Sequence, residues 1–362
     1  MKILFLSHID WNWIKQRPQF LAEEFSNKYD VICITPHWYK RNKLQARVDK
    51  TESKIRFFEF YGIPKGKYNL GIRKINNFLR SIYTRLIFIK EKPDVIYIPS
   101  PELYRNWMRQ KAARVIYDCM DDYVALSPTK EIAEYMKNSE SSVVRGANYI
   151  VTSSANLKQL IEKKYNQESN DISIIRNGYT GSIISQKIDG FSVNKSELHI
   201  GYIGTVSSWF DSKSLISAVR EIPNLYIHII GPVQQDAPEM KNDRIIFEGV
   251  VEHNLLFDKI KNYDGLIMPF VVNHIVESVD PVKMYEYINF NKPIISVYYD
   301  EIKRFEPYVW FYGKDNRTLT EAVRDLVDKG IKYTEIERIS ILTKSNWKNR
   351  AEKFEEIIER LS

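Results

Sequence analysis

The sequence predicts an α/β protein built from two doubly wound parallel sheets. Three observations carry that expectation. The chain has 362 residues, enough for two domains at about 150 residues each. Short apolar runs alternate with amphipathic stretches of helical period, the pattern of strand–helix–strand units with helices on both faces of a sheet. The alternation stops at a polar stretch, 180–196, and then starts again. Apolar residues at 44% and charged residues at 27% exclude disordered and collagen-like classes.

In the first half, KILFLSHI (2–9) reads as a strand, 15–26 as a helix, DVICITP (30–36) as a second strand and 55–62 as a third. A long helical stretch follows, with Ile72, Ile75, Phe78, Leu79, Ile82, Tyr83 and Leu86 at helical spacing. That apolar face is expected to pack on the sheet rather than anchor in a membrane. Strands at 94–100, 113–120, 149–154 and 172–179 and helices at 129–146 and 155–164 complete this half. In the second half, strands are predicted at 199–206, 225–232, 244–251, 265–270 and 293–299, and helices at 212–222, 254–262 and 282–290. Three helical segments end the chain. The expected domains are 1–180 and 181–345, with a C-terminal helix, 346–362, packing back towards the first. Ligands of such sheets bind at the carboxyl ends of strands, so the expected site is the cleft between the two sheets.

Absent motifs narrow the chemistry. No Gly-x-Gly-x-x-Gly follows the first strand, and there is no Walker A loop, His-Glu-x-x-His or Gly-x-Ser-x-Gly. The six histidines are scattered without ligand spacing, and no Asp-x-Asp occurs to clamp a metal–diphosphate. No metal and no cofactor are expected. Two cysteines cannot form a disulfide framework, and the first apolar run is too short for a signal peptide, so a cytoplasmic protein is expected. Between Trp38 and Arg114 there are 19 basic and 6 acidic residues, a net of +13 in a chain of net +7. Aromatics are interleaved there: Trp38, Tyr39, Phe57, Phe58, Tyr61 and Tyr68. Such a region suits an anionic membrane surface; the same composition suits single-stranded nucleic acid.

The most informative segment is ESVDPVKMYEYINFNKPIISV, 277–297. Asp280 is placed to cap a helix that Pro281 opens. Lys283 then lies in the first turn and Glu286 one turn later on the same face. Free amides and a lysine at a helix N-terminus hold an anion, and a carboxylate one turn deeper can accept both hydroxyls of a ribose. An ordinary capped amphipathic helix with a Lys–Glu pair has the same pattern.

This segment resembles the nucleotide-sugar helix of two-domain GT-B glycosyltransferases. The resemblance extends through HIDWNWIKQRPQFLAEEF (8–25), YDCMDDY (117–123), RNGY (176–179), GYIGTVSSWFD (201–211), IMPF (267–270) and SNWKNRAEKFEEII (345–358). It is closest to bacterial teichuronic-acid and exopolysaccharide transferases of the xanthan glucuronosyltransferase type. It implies a GT-B fold of two Rossmann-like domains and transfer of a sugar from a nucleotide diphosphate sugar, with UDP expected. The implied acceptor is a glycan or a lipid-linked glycan at the inner face of the cell membrane, with no role for nucleic acid. Many retaining GT-B enzymes carry two glutamates with seven residues between them; here Glu277 and Glu286 have eight between them and Ser278 stands at the first position, and the resemblance favours inversion.

The roles follow from the resemblance. Lys283 neutralises the leaving diphosphate, Glu286 binds the ribose, and Pro281 opens their helix. Gly204 and Thr205 admit a phosphate at a strand end. Glu248 to Val250 read the base through backbone groups. An inverting transferase needs a general base; Asp118, Asp121 and Asp122 end a first-domain strand, with Asp121 the expected base and Asp122 the second choice. His8 and Arg17 are expected on the acceptor side. A sugar-nucleotide epimerase of the same shape and a non-catalytic sugar-binding protein are the alternatives.

Overall fold

The computed structural model describes residues 1–12, 15–37, 54–109, 113–166, 172–184, 196–252 and 255–361. The chain divides into two compact units. The first comprises Met1–Gly178, Ser278–Asp280 and Asn346–Ser362, and the second Tyr179–Glu277 and Pro281–Ser345.

The first unit is a seven-stranded parallel sheet. Its strands are β1 (Lys2–Leu6), β2 (Asp30–Pro36), β3 (Arg56–Phe60), β4 (Val95–Ile98), β5 (Arg114–Cys119), β6 (Tyr149–Thr152) and β7 (Ile172–Ile174), in the order β3-β2-β1-β4-β5-β6-β7. Alternate side chains of β1 feed opposite cores. Leu4 and Leu6 join one with Val143 and Leu157, and Ile3 and Phe5 join the other with Leu21 and Phe354. The helices are α1 (Arg17–Phe25), α2 (Leu70–Glu91), α3 (Asn106–Arg109), α4 (Lys130–Gly146) and α5 (Ala155–Tyr165). Side-chain caps start three of them: Asn69, Thr129 and Ser154 accept from the amides of Ile72, Ile132 and Leu157.

The second unit is a six-stranded parallel sheet of β8 (Leu198–Ile203), β9 (Leu225–Ile230), β10 (Ile245–Gly249), β11 (Gly265–Met268), β12 (Ile294–Val297) and β13 (Val309–Tyr312), in the order β10-β9-β8-β11-β12-β13. Its helices are α6 (Ser212–Glu221), α7 (Leu256–Ile260), α8 (Val282–Asn289), α9 (Leu319–Lys329) and α10 (Glu335–Lys344). The last helix, α11 (Trp347–Leu361), belongs to the first unit, where Phe354 meets Phe25 and Tyr97 edge-on. In each sheet the strand order reverses beside the first strand, between β1 and β4 and between β8 and β11. Such switch points are where open α/β sheets take ligands.

Two expectations fail. β13 is absent from the sequence reading; four residues, VWFY, pair with β12 and extend the sheet edge. And α2 is turned the other way round. Its inward residues are Asn77, Arg80, Thr84, Ile87, Phe88 and Glu91, whereas Ile75, Phe78, Leu79, Ile82, Leu86 and Ile89 are exposed. Polar anchors fix this orientation. Arg73 and Asn77 bind the Glu102 carboxylate at 2.6–2.9 Å, and Arg80 donates to the carbonyl of Ser7.

Candidate functional site

In the second unit, three neighbouring strands end in glycine: Gly204 after β8, Gly231 after β9 and Gly249 closing β10. Gly204 N donates to Ile230 O and Gly231 N to Gly249 O, both at 2.8 Å. Gly204 and Gly231 have φ of 147° and 140°, values that favour glycine. A Cβ on Gly231 would lie 2.1 Å from Gly204 O, and one on Gly204 would lie 1.9 Å from Lys283 Nζ. Side chains are therefore excluded from this edge so that Lys283 can lie against it.

Lys283 stands in the first turn of α8, half-buried, with Nζ 3.5 Å from Tyr202 Oη and 5.3 Å above the Tyr202 ring. Burial lowers its pKa, and the Glu286 carboxylate opposes that shift. Tyr287 holds the helix in place: its hydroxyl accepts from Ile203 N at 3.0 Å and donates to Ile267 O at 3.3 Å, tying α8 to both strands of the switch point. The α8 N-terminus, Lys283 and the glycine edge together can hold a diphosphate. Glu286 is half-buried one turn along.

Asp280 does not cap this helix. The capping position is Pro281, without a side-chain hydrogen bond. The Asp280 carboxylate instead accepts from Asn177 N, and Asn177 Nδ2 donates to Asp280 O at 3.1 Å. Glu248 presents no free carboxylate either, since it is paired with His228 at 2.8 Å and Lys259 at 2.8 Å. Thr205 O accepts from Tyr202 Oη at 2.9 Å, and Val250 is exposed beyond the β10 bulge.

In the first unit, Asp118 is fully buried and forms a bidentate pair with Arg17 at 2.7 and 2.9 Å, with Tyr97 Oη donating to the same carboxylate. Arg17 also reaches Asn177 Oδ1 at 3.3 Å. Arg17 is thus an internal strut, not an acceptor-facing residue as the sequence reading expected. Asp122 Oδ1 caps the following turn, accepting from Val124 N at 3.1 Å and Ala125 N at 3.0 Å. Asp121 has another character. Burial, reinforced by Asp118 and Asp122 against the opposing Arg17, raises its pKa from 3.8 to about 7. His8, just past β1, packs edge-on to Tyr123 at 5.8 Å. Burial lowers its pKa to about 4, and its Nδ1 has no hydrogen-bond partner among the described residues.

No family model matches the sequence. A Bacillus subtilis (strain 168) protein provisionally assigned as a teichuronic acid biosynthesis glycosyltransferase is 22% identical over 215 residues, 55% of this chain and 54% of its own. The chain therefore spans about half the length of that relative. Among solved structures, sucrose-phosphate synthase from Thermosynechococcus elongatus superposes with a TM-score of 0.72 at 14% identity, covering 99% of this chain and 98% of that one. The Anabaena protein HepE in complex with UDP and glucose gives 0.62 at 12% identity, covering 99% of each. The fold is GT-B.

Within this GT-B chain, sequence reasoning missed Gly231, Tyr202 and Tyr287 as parts of the glycine edge around Lys283. Gly231-Pro232 reads only as the end of the strand predicted over 225–232, and Tyr287 reads as core, which by burial it is. The sequence carries no signal for its two strand contacts.

Proposed function

We infer that the protein is a metal-independent hexosyltransferase. It transfers a sugar from a nucleotide diphosphate sugar, UDP by expectation, to a glycan or lipid-linked acceptor in cell-surface polysaccharide synthesis, at the cytoplasmic face of an anionic membrane. The observation that carries this reading is the Lys283 ammonium laid against Gly204 at the start of α8. A half-buried ammonium beside a side-chain-free strand edge is a seat for a multiply charged anion. The HepE complex with UDP supports the choice of base.

The chemistry divides between named groups. Asp121, poised near neutrality, takes the proton of the acceptor hydroxyl. The oxygen attacks the anomeric carbon, and the bond from that carbon to the diphosphate oxygen breaks. Lys283 and the α8 amides neutralise the charge left on the diphosphate. Glu286 holds the ribose diol, and His8, kept neutral, is an acceptor-side hydrogen-bonding group.

Calorimetry with UDP and GDP tests the donor seat. Lys283→Ala and Glu286→Ala are each expected to weaken binding while the fold survives; unchanged affinity in both refutes it. Transfer is expected to persist in excess EDTA. Loss with chelator and recovery with manganese would assign the leaving-group charge to a metal instead.

A further inference from the structure

The outward face of α2 is built for contact. Ile75, Phe78, Leu79, Ile82, Leu86 and Ile89 fall within an arc of about 100° at 3.6 residues per turn. Phe78 is 64% exposed and Leu86 62%. Solvent-facing helices normally carry polar residues there. Here the polar side faces inward and is paired with Glu102, Ser7 and Arg56, so α2 cannot roll its stripe into the core without breaking those bonds.

The charge around the stripe is of one sign. The exposed charged side chains from Tyr61 to Lys92 are Lys65, Lys67, Lys74, Arg85, Lys90 and Lys92; the one acidic residue of that span, Glu91, is buried. Lys74 and Arg85 border the stripe on one side and Lys90 on the other, by the same helical period. Tyr61, Ile63 and Tyr68, also exposed, continue the apolar and aromatic surface ahead of the helix. A second copy of this chain is disfavoured as the occupant, because symmetric pairing would set basic borders against basic borders.

We propose that α2 lies in the interface of an anionic bilayer, its stripe among the acyl chains and its lysines and arginines at the headgroups. The helix is 22 residues long, about 33 Å at 1.5 Å per residue, and no helix among the described residues is long and apolar enough to cross a membrane. It lies on the surface, as amphipathic helices with basic borders do. This deepens the membrane side of the proposed function and rests on it only for the identity of the acceptor. The wider basic region, 38–114, includes Trp38, Tyr39 and other positions outside the described residues; the inference uses 61–92 alone.

The test uses the full chain and vesicles of phosphatidylcholine with or without phosphatidylglycerol. The wild type is expected to pellet with phosphatidylglycerol vesicles and to remain in solution with neutral ones. Phe78→Glu/Leu86→Glu is expected to stay in solution with both, with an unchanged thermal unfolding midpoint. At 1 M salt, where the Debye length is about 3 Å, binding to phosphatidylglycerol vesicles should fall towards the level seen with neutral ones. An environment-sensitive fluorophore on Phe78→Cys should shift to the blue with vesicles, and one on Ile339→Cys should not; Cys33 and Cys119 are buried. Wild type left in solution, a double variant that still pellets, binding undiminished by 1 M salt, or a stripe-dependent dimer would each overturn the proposal. Vesicle binding without UDP binding would sink the transferase reading and leave α2 standing, and the converse would do the reverse.

Discussion

Asp121 and Asp122 are chain neighbours with different tasks, and the difference is environmental. Asp122 is spent on two amides, whereas burial holds Asp121 near pH 7. If Asp121 is the base, kcat/KM should rise through a midpoint near 7, and Asp121→Asn should lower turnover by about 10²-fold or more with UDP affinity intact. The same shift fixes a sign for stability. Between 3.8 and about 7 the folded protein holds a proton that the unfolded chain has released, so stability falls as pH rises through that window. Asp121→Asn should therefore unfold at a higher temperature than wild type at pH 8, the gap closing towards pH 4. A variant with normal turnover and no such stability signature would show that Asp121 is a solvated carboxylate. Arg17 gives a second residue-scale prediction. Removing it strands Asp118 at full burial, and Arg17→Ala should cost about 3–5 kcal/mol in denaturant unfolding; a loss under 1 kcal/mol would mean that Asp118 finds water.

At the scale of elements, α8 depends on Tyr287. Tyr287→Phe removes the two bonds to β8 and β11, at a cost of about 1–3 kcal/mol. It should also weaken UDP binding although Tyr287 is fully buried; intact affinity would mean that packing alone sets the helix. Much of this level is legible in the sequence. The DVICITP strand is observed with the bounds read for it, because a buried parallel strand is one unbroken apolar run. β13 escapes because four aromatic-rich residues between two loops have no period to detect. The orientation of α2 escapes for a deeper reason. Periodicity shows that a helix has two faces, and only the partners, here Glu102 and Ser7, decide which one turns inward. Asp280 is a similar case: its local context reads as a cap, but its hydrogen bonds run to Asn177, 103 residues away in sequence.

On the whole molecule, motifs scattered along the chain serve one buried network. Arg17, Asp118, Asn177 and Asp280 are linked through hydrogen bonds, and Arg350 adds one to Asn177 O at 3.1 Å. Part of what looks like catalytic signature is therefore architecture, and the glycine edge around Lys283 is built from second-unit residues. UDP at 100 times its Kd should stabilise the fold by about 2.7 kcal/mol, read as a rise in Tm that Lys283→Ala abolishes; an equal rise in that variant would place the nucleotide elsewhere. The assembly of the first unit from distant segments has a consequence for synthesis. Its α1 face, with Leu21 and Phe25, is covered in part by α11, which the ribosome delivers only after the 168 residues from Tyr179 to Asn346. At roughly 5–20 residues per second that is a delay of about 8–34 s. For that time a sticky aromatic surface waits uncovered on the nascent chain, an opening for chaperones and a reason for the second unit to be made without pause.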